Sequence, residues 1–411
     1  MNIFTLLSLL NSLYVFRSVL RMAMLPAAFE IGGIAVYAVQ VMNYTRVEGL
    51  VLGTVLTALG DGLVIPKMQE FSRSLPQHDL PRLVFTWAPL EASFVLTSFG
   101  ILTGVASPED QEPTSIWMIL LANLVRILAT LLAGGLLGGA SALCTKLVKY
   151  NPFGIFKGSS SEMLLILVAT ALAAFALGKG AAGHELVPMP FCPGSLFQPE
   201  LLVIVTGACF AHVSNEEVLH DLEHTLGEVW SFGQIILFSM LGSKITPDLL
   251  PSLGAVFPVM LAGLLMRFLG VACGLLLTCQ SKGLWDLVPD TLFCFLCTLP
   301  RATIQGALGG EPKKMNFFSQ GYSNSRVVQD YIFAAAQLYI LCYSVIGMVL
   351  LHTVGPRLLK MTLPTKEEES VALKDAEEAA AWCIQCFRIR FVVAKRRSVI
   401  VGMVCRFLEG F

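Results

Sequence analysis

The chain has 411 residues, 55% of them hydrophobic and only 14% charged, with a net charge of −1. Soluble domains carry about 25% charged residues, so the composition excludes a water-soluble globular protein, and the missing basic excess argues against a nucleic-acid partner. A mean hydropathy of +0.71 places the chain among integral membrane proteins.

At about 20 apolar residues per crossing, about eleven spans are expected. In chain order they cover residues 3–20, 25–42, 47–67, 83–105, 116–146, 162–179, 197–213, 228–246, 252–278, 286–309 and 328–354. The first lacks a basic n-region and a small-residue cleavage site, so it reads as a membrane span rather than a signal peptide. The fifth is long enough to tilt strongly or to run along the membrane surface. The loop at 106–115 carries Glu109, Asp110 and Glu112 without Lys or Arg, which predicts an outside location. The loop at 147–161, with Lys149 and Lys157 after Lys146, is predicted inside. Alternation then puts the N-terminus outside and the C-terminal tail inside. It also puts the acidic loop at 214–227 inside, a mild conflict with little weight because acids barely enter that rule.

These features divide the chain into a transmembrane domain over 1–355 and a cytosolic tail over 356–411. Residues 364–381 are charged and alanine-rich and predict a soluble helix. Residues 382–411 interleave apolar side chains with Arg388, Arg390, Lys395, Arg396, Arg397 and Arg406. That pattern suits an amphipathic helix on anionic lipids of the inner leaflet. Calmodulin binding is the weaker alternative, its arginine spacing off by one.

Two spans are interrupted. Span three carries Gly60-Asp61-Gly62 and Pro66; span ten carries Pro300, Arg301, Gln305, Gly306 and Gly309. Proline removes a helical hydrogen bond, and an intramembrane arginine is costly and marks a pathway. Each interrupted span follows one with a central charge, Glu30 in span two and Arg267 in span nine. Interrupted spans at corresponding positions of two halves point to a midplane site in an inverted-repeat transporter.

Glu91 is the leading candidate for binding a cation or proton, being deep in span four just after Pro89, which frees a backbone carbonyl; the alternative is a carboxylate kept neutral or tied to an arginine for structural reasons. Asp61 is a candidate second ligand, or a helix-end acid. Glu30 and Arg267 are expected to pair, in a structural or gating role. Arg301 is a fixed positive charge expected to balance Glu91 or Asp61 and the half-helix ends, or else a snorkelling anchor. Thr303 and Gln305 supply polar groups on the same segment. Arg126, in mid-span five, has no evident partner in the sequence and is read as facing a cytosolic cavity or headgroups.

Other motifs carry less. The eleven cysteines lie mostly in apolar spans and read as small buried hydrophobes rather than a disulfide framework. Cys294/Cys297 and Cys383/Cys386 have CxxC spacing without a second pair, so packing, or lipidation of the latter pair, is expected. His220-Asp221-Leu222-Glu223-His224 has the spacing of an inverted zinc-protease motif. It has no obvious third ligand and reads as a solvated acidic helix.

With these residues in view, the chain resembles the monovalent cation/proton antiporter superfamily, in its NHA-type sodium/proton exchanger branch. Residues 299–309 look like that branch's Pro-Lys-Ala-Thr-Val-Gln-Ala-Ala-Leu-Gly signature, with Arg301 in the lysine's place. Residues 237–245 and 266–271, Leu25-Pro26 with Glu30, and residues 60–66 match other family segments in order and spacing. The resemblance covers roughly residues 10–355.

It implies an all-α polytopic fold with two crossing discontinuous helices and alternating access. It also implies exchange of Na⁺, with Li⁺ or K⁺ as alternatives, for H⁺, serving pH homeostasis in a plasma or organellar membrane. No enzyme activity, no cofactor and no metal beyond the transported cation are implied, and a homodimer is left open. The family's two adjacent aspartates align with Glu91 and Ala92, so the second is absent and Asp61 is expected to compensate. The family's buried Glu–Arg pair maps onto Glu30 and Arg267. About two of the family's N-terminal helices have no counterpart here, and a truncated start is expected. The alternative function is a transport-inactive relative with a regulatory or scaffolding role. A sodium-coupled organic-anion symporter would need a larger polar cavity than these spans suggest.

Overall fold

The structure, a computed structural model, describes residues 3–75, 78–106, 116–150, 159–180, 186–189, 195–214, 216–243, 247–278, 287–318 and 325–361. The expectations for the tail after 361 and for most of the loops at 106–115 and 147–161 fall outside the described residues. Regular structure among those residues is helical, joined by one isolated β-bridge between Pro188 and Ser195.

The helices are α1 (Ile3–Val41), α2 (Arg46–Thr57), α3 (Asp61–Ser74), α4 (Asp79–Ala106), α5 (Ile116–Tyr150), α6 (Ser160–Lys179) and α7 (Pro199–Val213). They continue as α8 (Glu216–Ser243), α9 (Leu253–Thr278), α10 (Leu287–Cys297), α11 (Thr303–Leu308), α12 (Glu311–Lys314), α13 (Ser325–Thr353) and α14 (Gly355–Met361). Residues Ser18–Leu358 make one compact unit. The two chain ends make another, of which the start of α1 and the last turn of α14 are described.

Seven segments among the described residues are long and apolar enough to cross a membrane, against the eleven expected. The difference has four sources. The expected spans at 3–20 and 25–42 are one continuous helix, α1, with Pro26 inside it. Residues 20–25 (Leu-Arg-Met-Ala-Met-Leu) are good helix formers with no turn residue among them, so nothing punctuates the chain there. The span at 197–213 is the short α7. The span at 286–309 is split into α10 and α11. The span at 228–246 falls in α8, which is not among the seven: the expected acidic loop at 214–227 is helical from Glu216 onward and forms the polar first half of that helix.

Local sequence sets the helix starts. Thr45 and Glu48 form a capping box before α2: Thr45 N donates to Glu48 Oε2 at 2.7 Å, and Glu48 N donates to Thr45 Oγ1 at 3.3 Å. Ser159 and Glu162 do the same for α6.

Small residues decide which helices approach closely, as expected where lipid removes the hydrophobic driving force between helices. A Cβ on Gly53 of α2 would lie 2.7 Å from the Ile31 carbonyl of α1, and one on Gly270 of α9 would lie 2.7 Å from Pro26 Cα. Thus α1 is gripped by α2 on one side and α9 on another, and the faces carrying Glu30 and Arg267 are forced together.

Helix α13 is riveted to α9 by three tyrosines. Tyr331, Tyr339 and Tyr343 donate to the carbonyls of Ala255, Val259 and Met260 at 3.1, 3.3 and 3.0 Å. A net hydrogen bond is worth about 1 kcal/mol, so Tyr339→Phe is expected to lower stability by about that much. A thermal melt in detergent, with wild type alongside, checks it.

A second group of helices packs mainly within itself, α5 on α7 and α6 on α7. Gly134 meets Val205 and Gly138 meets the Thr206 carbonyl, so α5 and α7 lie backbone to backbone. The outer face of α5 exposes Leu121, Leu128, Leu132 and Leu136, and α6 exposes Leu165 and Leu172.

Candidate functional site

Two helix interruptions meet in the interior. Between α2 and α3 the chain leaves the helix at residues 58–60, and between α10 and α11 it does so at 298–302. They are joined directly, because Gly60 N–H donates to the Pro300 carbonyl at 2.8 Å. A Cβ at Gly60 would sit 2.7 Å from that oxygen and 3.2 Å from Ala302 N. The φ of Gly60 is −80°, so glycine is needed here for space rather than for conformation.

The carbonyls at the C-terminal end of α2 lack intrahelical partners and carry the negative end of the helix dipole. Three side chains from distant segments satisfy them. Arg301 Nη1 donates to the Thr57 carbonyl and to that of Ala58 (2.9 Å). Arg267 Nη1 donates to the Thr57 carbonyl at 3.0 Å. Gln305 Nε2 donates to the carbonyls of Leu56 (3.2 Å) and Ala58, while its Oε1 accepts from Ala302 N at 3.1 Å.

Four buried charges surround this end. Glu30 accepts from Arg267 Nη1 at 2.9 Å and from Arg301 Nη2 at 2.8 Å on both oxygens. Arg267 Nη2 donates to Glu91 Oε1 at 2.5 Å. Every one of these four side chains is at most 3% exposed. Two carboxylates and two guanidiniums make the cluster neutral, which is how four charges can stay in a low-dielectric interior. Arg267 is the bridge, since it alone touches both carboxylates.

The site residues expected from the sequence are therefore redistributed. Glu30 and Arg267 do pair, but within a larger cluster. Arg301 lies at a half-helix end, as expected, capping the end of α2; its hydrogen-bonded carboxylate is Glu30 rather than Glu91 or Asp61, and it is buried rather than snorkelling. Its planar, forked donor set suits one carboxylate and two carbonyls together. Glu91 is tied to an arginine, the alternative its position allowed: Arg267 holds one oxygen, and Oε2 is buried without a hydrogen-bond partner. Asp61 is not among the bonded members. It opens α3 and accepts the Gly62 N–H at 2.9 Å, the geometry of an acid at a helix N-terminus. Thr303 is half-buried in the first turn of α11, and Gln305 is fully buried.

Arg126, read from the sequence as facing a cavity or headgroups, instead donates from Nε to the Ser195 carbonyl at 2.9 Å and from Nη1 to Asn123 Oδ1 at 3.2 Å. Nearby, Thr97 of α4 donates to Gln198 Oε1 at 3.0 Å, and Gln198 N donates to Thr130 Oγ1 at 3.0 Å. These contacts tie the helix of Glu91 to α5 and the start of α7. Sequence reasoning missed them, because a lone Thr or Gln in an apolar stretch carries no pattern. It also missed Trp87, fully buried one turn before Glu91 with its indole Nε1 unpartnered. The i, i+4 spacing to a buried acid was the available signal.

Cys294 and Cys297 are buried in α10 and not joined in a disulfide; Cys383 and Cys386 lie outside the described residues. No group of three or more His, Cys, Asp or Glu side chains that could hold a metal ion occurs among the described residues. Of the zinc-like motif, the side chains of Asp221, Glu223 and His224 are outside them too.

No family model matches the chain. Two curated relatives do. It is 22% identical over 350 residues to sodium/hydrogen exchanger 9B1 of Macaca fascicularis, covering 83% of this chain and 61% of that protein. It is 23% identical over 362 residues to sodium/hydrogen exchanger 9B2 of Mus musculus, covering 85% and 59%. The chain thus spans about three-fifths of the length of the relatives it matches. Both are exchangers by name, transporters rather than enzymes. With its apolar spans and a charged crossing in the interior, the chain is an integral membrane protein and a distant homologue of the NHA-type sodium/hydrogen exchangers of the monovalent cation/proton antiporter superfamily.

Proposed function

We propose that the protein is a secondary active transporter that exchanges Na⁺, with Li⁺ or K⁺ as alternative cargo, for H⁺ by alternating access. Its frame is an inverted-repeat antiporter fold in which α2/α3 and α10/α11 are the two crossing broken helices. The observation that carries the reading is Glu91 beside that crossing, with one oxygen on Arg267 and the other buried and open. A buried carboxylate is most easily neutralised by a proton or a cation, and the two compete for the same oxygen.

Arg267 makes this competition reversible. When cargo takes Glu91, the arginine keeps Glu30 and the Thr57 carbonyl through Nη1, so it is never left without an acceptor. Arg301 and Gln305 hold the end of α2 throughout. Asp61, at the start of α3, offers a second carboxylate near the break. The cluster is neutral when empty, so it carries the same charge with one proton or one monovalent cation bound. One-for-one, electroneutral exchange follows. The exposed leucines of α5 and α6 face the bilayer.

In proteoliposomes, Na⁺-driven proton flux is expected in the native protein and at background in Glu91→Gln. Net charge movement during exchange would overturn the one-for-one stoichiometry. A second reading is a transport-inactive relative with a regulatory or scaffolding role, favoured by Ala92 beside Glu91 and by the short Arg267–Glu91 bond. Absence of flux from folded native protein would decide for it.

A further inference from the structure

Trp87 is the largest fully buried side chain among the described residues, and its indole N–H has no acceptor. A buried tryptophan normally finds a partner for that donor, and a buried unsatisfied donor is destabilising and rare. One turn further along the same face of α4 lies Glu91, whose Oε2 is equally buried and equally unpartnered. The helix thus carries an unpartnered donor and an unpartnered acceptor one turn apart.

An indole N–H cannot ligate a cation, because it has a proton to give and no lone pair. It can hold a water that does. We propose that Trp87 is a positioning residue for the exchanged cation: its indole N–H and Glu91 Oε2 hold between them one water of the cation's hydration shell. That water accepts from Nε1, donates one proton to Oε2 and turns its remaining lone pair to the cation. The cation is then fixed against Glu91 with one water retained, which replaces part of the coordination that a second carboxylate would provide. At position 92 this chain has alanine, with nothing to offer.

The inference rests on the exchange reading, and its test separates the two. Trp87→Phe keeps the ring and removes only the N–H. In proteoliposomes it is expected to raise the KM for Na⁺ about tenfold, the size of one lost hydrogen bond, and to leave kcat within about twofold. A merely structural role would lower the yield of folded protein without that split. An unchanged KM in Trp87→Phe, with the wild type active, overturns the proposal.

A second measurement leaves Trp87 in place. The chain has five tryptophans; with the other four changed to phenylalanine, Na⁺ titration is expected to shift the emission of Trp87, and a flat titration overturns the proposal. If the wild type shows no flux, the exchange reading fails, and this titration still decides whether Trp87 senses a bound cation.

Discussion

Arg267→Leu is expected to be the most damaging single substitution of a charged residue in this protein. It leaves Glu30 with Arg301, but strips Glu91, a fully buried carboxylate, of its charged partner. Breaking a buried ion pair by removing one partner costs about 3–5 kcal/mol. The Thr57 carbonyl also loses one of its two arginine donors.

Glu91→Gln is the gentler change, since Arg267 retains Glu30 and Thr57 and an amide oxygen can still accept from Nη2. The double variant Arg267→Leu/Glu91→Gln removes both members of the pair and leaves Glu30–Arg301 neutral, so it is expected to recover more than half of the loss. The stability order is therefore Glu91→Gln, then the double variant, then Arg267→Leu. Thermal melts of the three detergent-solubilised proteins read that order, and the coupling from the double-mutant cycle. If the double variant is no more stable than Arg267→Leu, the arginine acts through packing alone.

Gly60→Ala is expected to disrupt the crossing almost as severely for one methyl group. The added carbon would overlap the Pro300 carbonyl and crowd Ala302 N, and both are backbone atoms that no rotamer change can move. On the far side of Pro300, a Cβ at Gly347 of α13 would lie 2.7 Å from Pro300 N, so that segment has no room to retreat. Overpacking costs about 1–3 kcal/mol. Here it also lengthens the Gly60–Pro300 hydrogen bond and shifts Arg301 away from the end of α2. Loss of monodisperse protein on size exclusion is the expected result. By contrast Gly139, with open space around the position of its missing side chain, is expected to tolerate alanine.

Much of the site was legible in the residues themselves. Glu30, Glu91, Arg267 and Arg301 stand out because a charge in an apolar span is costly and needs a partner. Gly60 and Pro300 stand out because they break helices. Pairing was harder. Arg301 read as the counter-charge of Glu91 or Asp61 and of the half-helix ends; it does meet the end of α2, but its bonded carboxylate is Glu30, and Arg267 is bonded to Glu91. Arg126 read as partnerless, since its acceptor, the Ser195 carbonyl, is a backbone group with no sequence signature. The merger of two expected spans into α1 followed from a proline that the helix tolerated.

What the amino-acid sequence alone determined was the solvent of this protein, the positions of its helix breaks and the identity of its buried charges. Those depend on local quantities: apolar length, backbone chemistry and the desolvation of single groups. Only the tertiary structure decided which charge meets which, and that the two breaks bond to each other. The partners lie 176 to 271 residues apart, and glycine contacts that let α1, α2 and α9 approach select among them. In the opening of helix α2 toward residues 298–302, the proline–arginine break acquires its function as a cap: Arg301 stays buried because the free carbonyls of α2 and the carboxylate of Glu30 are there to receive it.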